Sequence, residues 1–541
     1  MIPSANNFAL SFPTDSANWN GRYVGLGGAG TAGSVNQSGT WSEAVTGYAA
    51  SSSDQGHEGS TDYTWEEDTQ LLIDFAYRGN HLTAQASKAF LNAFYGANPT
   101  YSYFNGCSGG GGAAMAEATR YPTDYNGIAA GASASNPTRG WPQEMSLSAL
   151  TYNDATSTWP DDYVNKMSLV TNAAIAACDS LDGITDGLID DPRLCHFDPS
   201  VLMCNPVTST SHSDPTCLTP EQAQVVKAIY NGLTDPYSGK QLFPGFTPGS
   251  EGTWSGHITE QTAADAQYLP YAVLKNPNEY DWHDFLLTNP FYYWAYYSGD
   301  ATLGPILDQM NPDLSELKAA GAKVLMYHGW ADTNISPGND INYYESVQAK
   351  MSGGNVKDYI RLFLVPGMGH CGGGDGYNTL DTFTPLVNWV ENGVAPDQIV
   401  GTNAAGNTRP ICPYPEVARP DNTSLSSSGG PANSTDYSCV PPATVRFEPD
   451  SLSLNSNGVL TAYLTVPKGY KIEDWDVQNV SCNGVLAANT SVVDNTYIAN
   501  FRTEDLKGLS TGTAVPLTVT FSMNRNGKVA YTQGIGIVTI Q

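Results

Sequence analysis

The sequence predicts an α/β fold, a mostly parallel sheet interrupted by a long insertion, with a separate all-β domain behind it. Three observations predict this. Short apolar runs alternate with helical stretches over residues 1–140, the same rhythm returns near residue 315, and beyond residue 445 only alternating β residues between turns remain. At 541 residues the chain exceeds what one core organises, so several domains are expected.

In chain order, Tyr48 to Ala50 reads as strand, Asp68 to Leu82 as amphipathic helix, Tyr101 to Asn105 as strand and Ala113 to Ala118 as helix former. Leu314 to Ala320 then reads as helix, Lys323 to Tyr327 as buried strand and Ile360 to Val365 as another strand. Residues 141–315, rich in Asp, Asn, Pro and aromatics without clear alternation, suit a lid over the sheet's C-terminal edge. The core is therefore expected over 1–140 and 316–441. A stretch of Ser, Gly, Asn and Pro near 420–440 reads as linker, and 445–541 as a small β-sandwich with strands at Val445 to Phe447, Leu460 to Leu464 and Val515 to Phe521.

The 53 acidic residues against 24 Lys and Arg, a net charge of -29, argue against nucleic acid or an anionic membrane as partner. No uninterrupted apolar run is long enough to span a bilayer. No secretory signal is legible from Met1 onward, so the start is expected to be truncated or engineered. Of the nine cysteines none forms C-x-x-C, so disulfides are expected rather than a structural zinc site, with Cys482 lacking an obvious mate. Oxidising, extracellular surroundings follow. N-x-[ST] sequons at Asn36, Asn334, Asn422, Asn433, Asn479 and Asn489 point the same way.

Gly106-Cys107-Ser108-Gly109-Gly110 fits G-x-S-x-G between an expected strand and an expected helix, the context of a nucleophile elbow in an α/β-hydrolase fold. A serine hydroxyl at neutral pH is a poor nucleophile and needs an imidazole base oriented by a carboxylate. In the chain order of this fold, Asp332 and His370 fit, since each follows an expected strand and emerges on the same sheet edge. His57, His81 and His328 are alternative bases, and Asp340 and Asp375 fallback acids. Cys107 precedes the serine and Cys371 follows the histidine, so contact between Ser108 and His370 would let the two cysteines bridge.

These residues resemble the tannase and feruloyl esterase family, whose members carry Cys-Ser, Asp and His-Cys tied by that disulfide. Asn18 to Arg22, Arg120 to Asp124, His328 to Asp332 and Arg409 to Tyr414 also look like family segments, and the resemblance covers roughly residues 15–440. The family's usual Gly-Gly-Arg after the serine is Gly110-Gly111-Gly112 here, and its N-terminal cysteine-bearing stretch is absent.

The backbone N–H groups of Gly109 and Gly30 are the expected oxyanion hole. The loop Gly27 to Gly33 also contains G-x-G-x-x-G with Asp54 downstream, but Ser34 to Ala44 is a poor helix opener, which argues against a dinucleotide site.

The resemblance implies a structural calcium ion in the segment Cys178 to Asp190, held by the side chains of Asp179, Asp182 and Asp186 and the carbonyls of Ile184 and Leu188, with Cys178 and Cys195 bridging its ends. No organic cofactor is expected. Aromatic residues crowd Tyr268 to Tyr297, and Trp282, Phe291, Tyr292 and Trp294 are candidate walls for a planar phenolic ring, though lid core is the commoner role for such a run. The resemblance implies a secreted serine esterase acting on feruloyl or related hydroxycinnamoyl esters of the plant cell wall, with galloyl esters next. A terephthalate-monoester hydrolase, a catalytically silent plant-wall binding protein on the same scaffold, and a peptidase are the alternatives.

Overall fold

Seven strands form one sheet: β1 (Phe8–Ser11), β2 (Arg22–Leu26), β3 (Ala49–Ser53), β4 (Tyr101–Cys107), β5 (Gly127–Gly131), β6 (Lys323–Gly329) and β7 (Ile360–Val365). They lie in the order β1-β3-β2-β4-β5-β6-β7, with β1 antiparallel to β3 and every other pairing parallel. The computed structural model describes residues 5–59, 63–151, 159–205, 214–256, 269–351, 355–421, 433–453, 457–525 and 528–541. It divides into two units, Met1–Ala174 with His196–Pro396, and Ile175–Cys195 with Asp397–Gln541.

A parallel sheet covered on both faces removes polar alternation from its strands. All of β5 is buried, yet its sequence, Gly-Ile-Ala-Ala-Gly, has a single β-branched residue and is missed by an apolar-run reading. Register decides what matters for chemistry. Cys107 pairs with Gly131, Gly131 with Tyr327 and Gly329 with Val365, so β4 and β5 end level, β6 and β7 end together two residues further on, and the loops after β4, β6 and β7 leave from one edge.

The helix expected at 68–82 is the start of a longer one. Asp68 caps Thr69–Ile73 by accepting from the Gln70 N–H, a π-helical turn spans Asp74–Arg78, and α1 (Gly79–Tyr95) continues. Four more helices matter here: α2 (Gly109–Arg120), α3 (Pro137–Thr151), α4 (Pro290–Leu307) and α5 (Pro337–Lys350). A helix also occupies Gln37–Val45, where the sequence shows no apolar period. Its N-cap starts it instead, with Asn36 Oδ1 accepting from the Gly39 N–H, and Thr40 is its one buried residue.

In the first unit the lid helices α3 and α4 share a core built on Met145, Leu269, Phe285, Tyr292, Tyr296 and Leu307. The expected domain limits differ from the observed ones at 175–195 and 397–441, which group with the C-terminal strands. Inside the second unit, Ile184 packs with Cys412, Ala418 and Tyr437, and buried arginines from the later segment pair with aspartates of the earlier one. Such long-range charge pairing leaves no periodic trace in sequence. The C-terminal strands form a four-stranded and a five-stranded sheet around Phe447, Leu460, Phe501, Leu517, Phe521 and Val538, and all three expected strands lie in them. Cys482 is a free thiol buried in that core.

Candidate active site

Ser108 sits between β4 and α2 with φ 65° and ψ -125°, a conformation that residues with side chains rarely adopt. The turn is over-determined by its neighbours. The Ser108 N–H donates to Gly131 O at 3.0 Å, and Ser108 O accepts from the Gly112 and Ala134 N–H groups at 2.9 and 3.0 Å. Two glycines permit the approach of other loops: a Cβ on Gly109 would lie 2.0 Å from Gly30 O, and one on Gly112 2.6 Å from Ala134 O. At the position where the family usually has arginine, a side chain on residue 112 would displace the loop after β5 of this chain.

The loops after β6 and β7 bring Asp332 and His370 to this serine. His370 Nε2 lies 2.8 Å from Ser108 Oγ, and His370 Nδ1 lies 2.8 Å from Asp332 Oδ2. With Nδ1–H donating to the carboxylate, Nε2 is left to accept the serine proton, the tautomer a general base needs. Cys107 and Cys371 are bonded, with Cα atoms 6.0 Å apart, so a covalent link runs beside the Ser108–His370 contact. The other disulfides are Cys178–Cys195, Cys204–Cys217 and Cys412–Cys439.

Asp332 is completely buried and accepts from the Asn334 and Ile335 N–H groups at 2.8 and 3.0 Å through Oδ1. Its Oδ2 faces both His370 and His328 Nε2, the latter at 3.1 Å. Burial alone would raise its pKa, but the hydrogen bonds and charges of the two histidines outweigh that and hold the carboxyl well below the usual range.

The alternatives weighed from sequence are engaged elsewhere. His57 stacks on Trp65, His81 contacts Asp124 and stacks on Tyr121, Asp340 contacts His328, and Asp375 is exposed. Asp54, the acid of the dinucleotide reading, is buried and accepts from Asn7 and from the Gly56 N–H.

Ser108 opens onto a cavity of about 650 Å³. Ala29, Gly30, Thr31 and Gly109 line it beside the serine, and Tyr63, Phe75, Trp141, Phe243 and Leu307 supply apolar wall. The candidate aromatics of the lid do not. Tyr292 is buried in the lid core against Phe285, Trp282 stacks on His283, and Phe291 and Trp294 are exposed, because α4 turns that face away and reaches the cavity only through Leu307. The walls missed from sequence are single aromatics on unconnected segments. Asn334, one of the sequons, also lines the cavity, and Asn422 falls outside the described residues.

The family described as tannase and feruloyl esterase matches residues 3–440. The chain belongs to this family. It is a carboxylic ester hydrolase, similar to a probable feruloyl esterase of Arthroderma benhamiae at 34% identity, over 78% of this chain and 80% of that one. It is also similar to the mono(2-hydroxyethyl) terephthalate hydrolase of Piscinibacter sakaiensis, at 30% identity over 81% and 82%. Feruloyl esterase B from Aspergillus oryzae superimposes with a TM-score of 0.71 at 29% identity, over 78% of this chain and 85% of that one.

In the second unit this esterase gathers buried charge. Asp182 Oδ2 and Asp186 Oδ2 lie 3.1 and 3.3 Å from the Arg409 guanidinium, Asp190 Oδ1 lies 3.2 Å from it, and Asp190 Oδ2 lies 2.7 Å from Arg419. Asp179 accepts from the Asp186 and Gly187 N–H groups, while Asp182 and Asp186 accept from Ile184 and Leu188. Burial pushes the Asp182 and Asp186 carboxyls above the usual range, against the pull of Arg409.

The Cys107–Cys371 link spans 264 residues, so its loss costs on the order of 5 kcal/mol in unfolded-chain entropy. Cys107→Ser/Cys371→Ser is expected to lower the melting temperature and to lower kcat more than it raises KM, read by thermal melts and steady-state kinetics.

Proposed function

We propose that this esterase hydrolyses aryl esters of phenolic acids through an acyl-enzyme on Ser108, with feruloyl and related hydroxycinnamoyl esters of the plant cell wall first and galloyl esters next. The observation that carries this reading is the aligned set Ser108, His370 and Asp332 opening onto an apolar-walled cavity. His370 Nε2 takes the Ser108 proton as Oγ attacks the ester carbonyl, and Asp332 stabilises the imidazolium that forms. The N–H groups of Gly109 and Gly30 receive the carbonyl oxygen as it becomes an oxyanion. His370 then protonates the departing alcohol, and water repeats the sequence in reverse to release the acid.

The choice of acyl group rests on charge. Among the described residues lining the cavity there is no Lys or Arg. A neutral phenolic ring enters such a pocket at little cost, whereas the free carboxylate of a terephthalate monoester would lose hydration without a cation to replace it. The four disulfides support an extracellular location, where the exposed sequons at Asn36, Asn433, Asn479 and Asn489 can carry glycans.

Calcium at Cys178–Asp190 belongs to the same reading. Four carboxylates, Asp179, Asp182, Asp186 and Asp190, stand against two guanidiniums, Arg409 and Arg419, which leaves two negative charges for a divalent cation to neutralise. The side chains of Asp179, Asp182 and Asp186 and the carbonyls of Ile184 and Leu188 would hold it. Bound there, the ion supplies charge neutralisation and a cross-link within the loop.

Ser108→Ala is expected to lose at least about a thousandfold in turnover, and a serine-directed phosphonate to label Ser108 in the folded protein. Retained turnover in Ser108→Ala would exclude the acyl-enzyme mechanism, and no label on the folded protein would favour the silent binding protein. Across methyl ferulate, caffeate, coumarate and gallate and the terephthalate monoester of ethylene glycol, kcat/KM for the best phenolic ester should exceed that for the monoester by about tenfold or more. A chelator of calcium should lower the melting temperature reversibly, by the linkage that makes saturation at a hundred times Kd worth about 2.7 kcal/mol. Asp182→Asn should abolish that response.

A further inference from the structure

The strand that leads into the Asp332 loop carries a second imidazole with no part in the proton transfer. His328 lies near the C-terminal end of β6, is completely buried, and contacts acceptors alone. Its Nδ1 is 2.8 Å from Asp340 Oδ2, and its Nε2 is 2.9 Å from Ile335 O and 3.1 Å from Asp332 Oδ2. A carbonyl and an ionised carboxylate can only accept, so Nε2 must carry a proton. At Nδ1 there are two possibilities: a proton on the ring donated to an ionised Asp340, or a neutral ring accepting from a protonated Asp340.

The surroundings favour the first. Asp332 and Asp340 are both completely buried, and one positive charge between them relieves both. Asp340 Oδ2 also accepts from the Ser133 N–H at 3.3 Å. The charged or titratable groups facing the ring are Asp332 on the loop after β6 and Asp340 on α5. Tyr343, also on α5, faces Asp340, and His370 lies beyond Asp332. Burial by itself lowers the basicity of His328, but the two carboxylates outweigh it and push its pKa up to about 10.

We propose that His328 is a positioning residue held as an imidazolium between Asp340 and Asp332, whose charge keeps His370 unprotonated further into acid pH than Asp332 alone would allow. The reading rests on His370 acting as the base. Asp332 attracts a proton onto His370, and a free base is what Ser108 needs. A permanent cation on the same carboxylate oxygen offsets part of that attraction while preserving the hydrogen bond that orients the ring. It also keeps Asp332 ionised when His370 becomes charged during attack.

Two measurements test this. In the unsubstituted protein, nitrogen-15 NMR of the eight histidines at pH 8.5 should show one ring with both nitrogens protonated, absent in His328→Gln. In kinetics, the acid limb of kcat/KM should move up by about one pH unit in His328→Gln, from loss of a nearby buried charge. The double variant His328→Gln/Asp340→Asn keeps a donor–acceptor pair in place of the ion pair, and should shift the limb in the same direction by less. A doubly protonated ring missing from the unsubstituted protein overturns the proposal, whether or not any variant folds. So does an unmoved acid limb in folded variants, which would leave His328 a structural residue. Retained turnover in Ser108→Ala would instead sink the acyl-enzyme reading, while the NMR result on His328 would stand apart from it.

Discussion

The constraint on which the site depends is the satisfaction of one buried carboxylate. Asp332 is cut off from water, so its charge is tolerable only with donors on every side. Two come from the backbone of its own loop, one from His370 and one from His328. Those four contacts fix the loop after β6, fix the orientation of the His370 ring, and leave its Nε2 facing Ser108. Fold and chemistry are joined at this carboxylate.

The nucleophile is held by a different means, close contact of backbone with backbone. Ser108 adopts a left-handed conformation because β5 and the loop after it bond to the peptide groups on either side of the turn. Glycines at 109 and 112 let the Gly27–Gly33 loop and the Ala132–Ala134 loop come within a distance no Cβ would permit. The same crowding that forces the turn brings Gly30 to the serine. A disulfide then fixes the histidine loop to the end of β4, so the base cannot drift from the nucleophile without breaking a covalent bond.

The second unit obeys the same electrostatic rule with a different outcome. Asp182 and Asp190 are buried beside Arg409 and Arg419, two of the largest fully buried side chains of the molecule. Two guanidiniums cannot neutralise four carboxylates. The pairing of Arg409 and Arg419 with those aspartates also explains why residues 397–441, which read as the end of the hydrolase core, group with the acidic segment instead.

The sequence by itself determined the parts whose signal is local. The G-x-S-x-G turn between a strand and a helix, the two post-strand loops bearing Asp332 and His370, and the cysteines beside them are legible because strand, turn and helix chemistry is written over a few neighbouring residues. The strands of the C-terminal sandwich are legible by their alternation. Tertiary structure alone decided the rest. The wall of the cavity comes from Tyr63, Phe75, Trp141 and Phe243, distant residues whose side chains meet only once the lid has packed, while the aromatic run in α4 is spent largely on the lid's own core or left on its surface. His328 and Asp340 each look like a rival for a catalytic role when read singly. Only burial, which removes water as a partner and leaves each group the neighbours it has, turns them into the support of Asp332.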